Sequence, residues 1–146
     1  MLVHQILRAK SRGAEGVLTI GPDRSVAEAA RMLSELRVGA LVVSPDGKKV
    51  AGILSERDIV REMGRRGPGC LDDRVSALMT ATVITCGPED TADAVLAKMT
   101  AQRCRHMPVV RDGQMVGLIS IGDVVKARLD ELSMEKEALK GMIMGY

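Results

Sequence analysis

A chain of 146 residues, 46% of them hydrophobic, is long enough for one compact domain with a real core. A net charge of +2 and a single aromatic residue, Tyr146, argue against a nucleic-acid binder, which needs cations for phosphates or rings for stacked bases. No apolar run approaches the ~20 residues of a membrane span, and Met1-Leu2-Val3-His4-Gln5 does not open a signal peptide, so the expectation is a soluble cytoplasmic protein with no membrane contact.

In chain order, Val3-x-x-Ile6-Leu7 predicts a short helix. A short strand follows at residues 17–20, broken by Gly21-Pro22. Ser25-Val26-Ala27-Glu28 reads as a capping box, and Val26, Ala29, Ala30, Leu33 and Leu36 continue at helical spacing. Gly39-Ala40-Leu41-Val42-Val43 is a buried strand, returned by Ser44-Pro45-Asp46-Gly47 into a strand at residues 50–54. A helix at residues 56–65 closes the unit, and Gly64-Arg65-Arg66-Gly67-Pro68-Gly69 reads as a connecting loop.

The chain then repeats itself. Val75-x-x-Leu78-Met79 matches the first short helix, and a strand at residues 83–86 ends at Gly87-Pro88. Thr91 caps a helix with Ala92, Val95, Leu96 and Met99 on its apolar face. Met107-Pro108-Val109-Val110, a turn at Arg111-Asp112-Gly113 and a strand from Met115 to Ile119 complete the sheet. Matching positions lie 66 apart early in each unit and 65 apart late in it, as in Val17/Val83 and Gly52/Gly117. The expected fold is α/β (α+β), with two strand-helix-strand-strand-helix units paired around a pseudo-twofold axis. The organisation expected is a first unit with its lead-in helix at residues 1–66, a linker at 67–74, a second unit with its short helix at 75–128, and a helical extension at 129–146. That last helix carries Val125, Leu129, Leu132, Leu139 and Ile143 at threes and fours, interrupted by Lys136. A single module offers little to cover such a stripe, so a homodimer is expected.

The motif with most chemistry is Ser-x-x-Asp between a strand and a helix: Ser55 to Asp58, and Ser120 to Asp123. Ser is a good N-cap and an acid in the first turn complements the helix dipole, so capping alone accounts for either copy. The same geometry suits a mononucleotide, since free N–H groups face an anion and a carboxylate can accept a ribose diol. A second cluster, Arg103-Cys104-Arg105-His106-Met107-Pro108, sets three basic side chains before a strand, where the first unit has Val38, Gly39 and Ala40. Cys70, Cys86 and Cys104 form no Cys-x-x-Cys pair and imply neither zinc nor disulfides. His4 and His106 belong to no metal motif, so no metal is expected. Cys104 beside Arg105 and His106 leaves a lowered-pKa thiol, and hence an enzyme, as an alternative.

The unit order, the Gly-hydrophobic-hydrophobic-Ser-x-x-Asp endings and the Arg-His-x-Pro-Val-Val segment resemble the cystathionine-β-synthase-type (CBS) domain, and two in tandem resemble a Bateman module. The resemblance runs from Val3 to about Arg128 and suggests a stand-alone CBS-pair protein. It implies a non-catalytic regulatory, energy-sensing module that binds an adenosine ligand between its repeats and dimerises. The ligand implied is AMP, ADP, ATP, S-adenosylmethionine or NAD(H), with AMP or another adenylate first. An unidentified regulated protein would read the change in geometry. One site would take Ser120, Gly122, Asp123 and Leu118, with Thr19, Val38, Gly39 and Ala40 around adenine and Arg57, Arg105 and His106 at the phosphates. The other would take Ile53, Ser55 and Asp58 with Thr85, Cys104 and Arg105. Gly39 and Ala40 stand where family members often carry cations, so the Asp123 site is expected to dominate for phosphate-bearing ligands. A structural dimerisation module with vestigial sites is the other reading.

Overall fold

The computed structural model describes residues 1–10 and 18–144. Its elements are α1 (Val3–Ala9), β1 (Thr19–Ile20), α2 (Val26–Leu36), β2 (Ala40–Val43), β3 (Gly52–Ser55) and α3 (Glu56–Arg66). They continue with α4 (Val75–Leu78), α5 (Ala92–Gln102), β4 (His106–Arg111), β5 (Gln114–Ser120) and α6 (Ile121–Met144). In the first repeat β1 runs parallel to β2, which pairs antiparallel with β3. In the second, β4 and β5 form an antiparallel hairpin. Its turn has Asp112 at φ 52° and Gly113 at φ 77°, the left-handed pair that a tight two-residue hairpin requires.

Three expectations need correction. The strand expected at residues 83–86 shrinks to one parallel bridge, Cys86 to Val109. Pro108 supplies the reason: its counterpart Val42 donates its N–H to Leu18 O at 3.1 Å, and proline has no N–H to donate to Ile84. The first-repeat strand is likewise short, and Val17 lies outside the described residues. The capping box at Ser25 is half made. Glu28 N–H donates to Ser25 Oγ at 3.1 Å, but the Glu28 carboxylate turns to Arg24 at 2.9 Å. Finally, the Gly/Pro-dense segment is not an open loop. Gly64, Arg65 and Arg66 belong to α3, Gly67 at φ 82° ends it, and Pro68–Asp72 forms a 3-10 turn that buries Cys70.

Each lead-in helix packs on the other repeat. Val3 and Ile6 of α1 are buried among Cys86, Val95, Met99, Met107 and Ile119 of the second repeat. Val75 of α4 is buried among Ile20, Val26, Leu33, Leu41 and Leu54 of the first. The backbone hydrogen bonds repeat the exchange. Val3 N–H donates to Asp90 O at 2.9 Å and His4 N–H to Pro88 O at 3.0 Å, while Val75 N–H donates to Arg24 O at 2.8 Å and Ser76 N–H to Pro22 O at 3.0 Å.

Two glycines permit this exchange. A Cβ on Gly117 of β5 would lie 2.7 Å from Leu7 Cδ1, and one on Gly52 of β3 would lie 2.6 Å from Met79 Sδ and 2.9 Å from the Thr80 carbonyl oxygen. Thr80 is fixed there by paired bonds with Ile53, 3.0 and 2.8 Å. Gly52→Ala must therefore displace backbone, whereas Gly117→Ala meets only a leucine side chain. Urea denaturation should show Gly52→Ala destabilised by ~1–3 kcal/mol and Gly117→Ala by less, as expected for overpacking. Equal stability of both variants and the parent would contradict the exchange.

Candidate functional site

The strand-to-helix junctions carry the two Ser-x-x-Asp copies in the same arrangement. Asp58 N–H donates to Ser55 Oγ at 3.2 Å, and Ser55 N–H donates to Asp58 Oδ2 at 2.9 Å. Asp123 N–H donates to Ser120 Oγ at 3.2 Å, and Ser120 N–H to Asp123 Oδ2 at 2.9 Å. Both copies are thus full capping boxes, which fixes each carboxylate at the start of its helix. Each faces a cavity built from both repeats.

The Asp123 cavity, about 580 Å³, is lined by Val38, Gly39, Ala40, His106, Leu118, Ser120 and Asp123 among the expected residues. Ile6, Leu7, Lys10, Leu18, Lys126 and Asp130 also line it. The Asp58 cavity, about 700 Å³, takes Ile53, Ser55, Asp58, Cys104 and Arg105 of the expected set, with Thr80, Thr82, Val83 and Ile84. Gly39, His106 and Ser120 line both.

Ala40 lines the Asp123 cavity, as the resemblance implies. Several other placements differ from expectation. Arg57 lines the Asp58 cavity, not the phosphate side of Asp123; Arg105, expected at both sites, lines only the Asp58 cavity, and Arg61 and Arg103 join them there. The expected cationic bias towards Asp123 is therefore reversed. Thr19 and Thr85 line neither cavity. Their preceding neighbours Leu18 and Ile84 do. The Thr85 carbonyl instead accepts Lys98 Nζ at 2.9 Å. Gly122 is exposed in the first turn of α6 and lines neither cavity.

The CBS-domain family model matches residues 14–65 and 75–130. The chain belongs to the CBS-domain family. It is 34% identical over 148 residues to the mitochondrial CBS domain-containing protein CBSX3 of Arabidopsis thaliana, covering 98% of this chain and 72% of that one. Among solved structures it is similar to the CBS-domain protein ATU1752 of Agrobacterium tumefaciens, with a TM-score of 0.81, 41% identity, and 88% and 99% of the two chains covered. It is also similar to the CBS domain pair of protein MJ0100, solved in complex with 5′-methylthioadenosine and S-adenosyl-L-methionine. There the TM-score is 0.77 at 25% identity, with 90% and 98% covered. Among the described residues, no helix is long and apolar enough to cross a membrane.

The electrostatics of this CBS pair separate its two sites. Burial opposes ionisation of Asp123, but the Ser120 N–H and the Lys10 ammonium outweigh it and hold the carboxyl below its ordinary range. Lys10 Nζ lies 2.9 Å from Asp123 Oδ2 and donates to Leu118 O at 2.8 Å, so it covers the Asp123 carboxylate. Sequence reasoning missed Lys10 because it belongs to no repeated motif; it reaches the site only because α1 crosses to the second repeat. At Asp58 the corresponding cation is Arg61, 3.7 Å away and mostly exposed. Arg57, Arg103 and Arg105 make no ion pair among the described residues. Arg103 is placed by its left-handed conformation at the end of α5, φ 54°.

The thiol alternative is corrected. Burial pushes the Cys104 thiol up rather than down, and burial raises Cys86 to about 11. Burial also lowers His106, against the pull of Asp123 and Glu56 and with the push of Lys10 and Arg105.

A depressed Asp123 pKa stabilises the fold above the unfolded carboxyl value of about 3.9, and that stability is lost as pH falls through the folded value. Lys10→Met removes one of the groups that depress it. Carbon-detected NMR titration should find Asp123 protonating at higher pH in Lys10→Met than in the parent. An unchanged titration would mean that the ion pair does not form in solution.

Proposed function

We propose that the protein is a non-catalytic regulatory module that binds adenine nucleotides between its two repeats. The observation that carries this reading is the pair of cavities, each combining a Ser-x-x-Asp helix start from one repeat with walls from the other. A ligand held by both repeats favours one repeat or dimer geometry over another, and a partner protein reads that geometry. The adenosine ligands of the MJ0100 pair support the ligand class. A cytoplasmic homodimer acting on a separate protein fits this reading.

The two cavities would divide their ligands by charge. The Asp58 cavity sets four arginines against Glu56 and Asp58, which suits ADP, ATP or NAD(H). The Asp123 cavity balances Lys10 and Lys126 against Asp123 and Asp130 and adds apolar walls, which suits a nucleoside or AMP. A second reading, vestigial sites in a structural dimerisation module, is favoured by one observation: Lys10 already occupies Asp123.

Thermal denaturation and calorimetry separate the two. A ligand at about 100 times its dissociation constant should stabilise the fold by roughly 2.7 kcal/mol. Hydrogen bonds to a charged group contribute about 1.5–3 kcal/mol, so Asp58→Ala should weaken ATP roughly ten- to a hundredfold. Asp123→Ala should leave ATP binding largely intact. If no adenylate, NAD(H) or S-adenosylmethionine moves the melting temperature at millimolar concentration, the vestigial reading stands. If Asp123→Ala alone abolishes ATP binding, charge does not divide the sites.

His106 lines both cavities and favours phosphate when protonated. Because burial lowers its pKa below 6.5, AMP affinity should rise with acid mainly below that pH. Flat affinity from pH 7 to 5, or a trend that persists unchanged in His106→Gln, would remove His106 from the site.

A further inference from the structure

Helix α6 outruns the protein it packs on. Val124 and Ala127 are buried in the second-repeat core, but residues 132–140 are all exposed. Helix that far from any core is marginal in water unless its apolar face is covered. Val125, Leu129, Leu132, Leu139 and Ile143 are between 42% and 77% exposed. With Lys136 they step by 4, 3, 4, 3 and 4 residues, a seven-residue repeat whose seam alternates Leu129, Lys136 and Ile143 with Val125, Leu132 and Leu139.

The flanking charges choose the occupant and its direction. Glu135 and Lys140 border the seam on opposite sides, and neither makes an ion pair within the described residues, unlike Arg128 and Glu131. In a parallel, in-register pair, each flanking residue meets the one five positions later on the other chain, so Glu135 meets Lys140 twice. In the antiparallel pair of greatest overlap, Glu135 meets Glu135 and Lys126 meets Lys140. A single lysine in the seam, Lys136, is the type of residue that fixes register and strand number.

We propose that α6, from Val125 to Ile143, pairs with the same helix of a second copy as a parallel two-stranded coiled coil held in register by Glu135–Lys140 contacts between chains. This rests on the homodimer reading and specifies its surface. It would also place the dimer seam on the helix whose first turns carry Asp123, Lys126 and Asp130 at a cavity.

Sedimentation equilibrium on the full chain tests it. Glu135→Lys or Lys140→Glu alone should raise the dimer dissociation constant roughly tenfold, since each reverses two exposed pairs. The double variant should restore it. Leu139→Cys should form an intermolecular disulfide between the two introduced thiols under mild oxidation, identified by peptide mass, and Glu137→Cys on the outer face should not. Rescue by the double variant together with the Leu139→Cys link supports the proposal. A native monomer at micromolar concentration overturns both the proposal and the homodimer reading. A dimer indifferent to the charge reversals, or one without the Leu139→Cys link, overturns the proposal alone and moves the dimer contact to another face.

Discussion

The exchange of lead-in helices between the repeats is the contact on which the rest of this structure depends. Alpha-helical turns α1 and α4 are too short to stand alone, and each completes the core of the repeat that does not follow it. The exchange needs a bare backbone at Gly52 and Gly117, where Met79 and Leu7 come within van der Waals contact of the strands. It makes the two halves mutually dependent, so neither core is complete without a segment from the other. It also carries Lys10 across to Asp123, so the packing device lines the Asp123 cavity.

The two Ser-x-x-Asp junctions show how one local geometry serves two ends. The capping boxes hold Asp58 and Asp123 by their own backbone, independent of any ligand. What differs between the sites is the company each carboxylate keeps. Asp123 has a lysine at 2.9 Å and a balanced wall, while Asp58 has Arg61 at 3.7 Å and shares its cavity with Arg57, Arg103 and Arg105, which make no ion pair among the described residues. Duplication supplied two copies of one frame, and substitutions around the frame separated their electrostatics.

Much of this was legible in the sequence because repeats and caps are local. The two units, their helices, the short lead-in helices and the long apolar stripe of α6 follow from spacing alone. The family resemblance placed Val38, Gly39, His106, Leu118, Ser120 and Asp123 at one cavity, and there they lie. What spacing could not show was which way each side chain faces across a fold. Arg57 went to the other cavity, Arg105 kept only one of its two expected places, Thr19 and Thr85 yielded to Leu18 and Ile84, and Lys10 was invisible until α1 crossed over. Pro108 carried a readable warning: a residue without an N–H cannot extend a parallel pairing, and the strand at residues 83–86 duly reduced to one bridge.

The central claim is that a nucleotide is held between the repeats, and amide chemical-shift mapping with ATP tests it most directly. The account predicts shifts from both repeats around one cavity: Ser55, Arg57 and Asp58 on one side, and Thr82, Arg103 and Arg105 on the other. Shifts confined to one repeat, or none at saturating ATP, would contradict it.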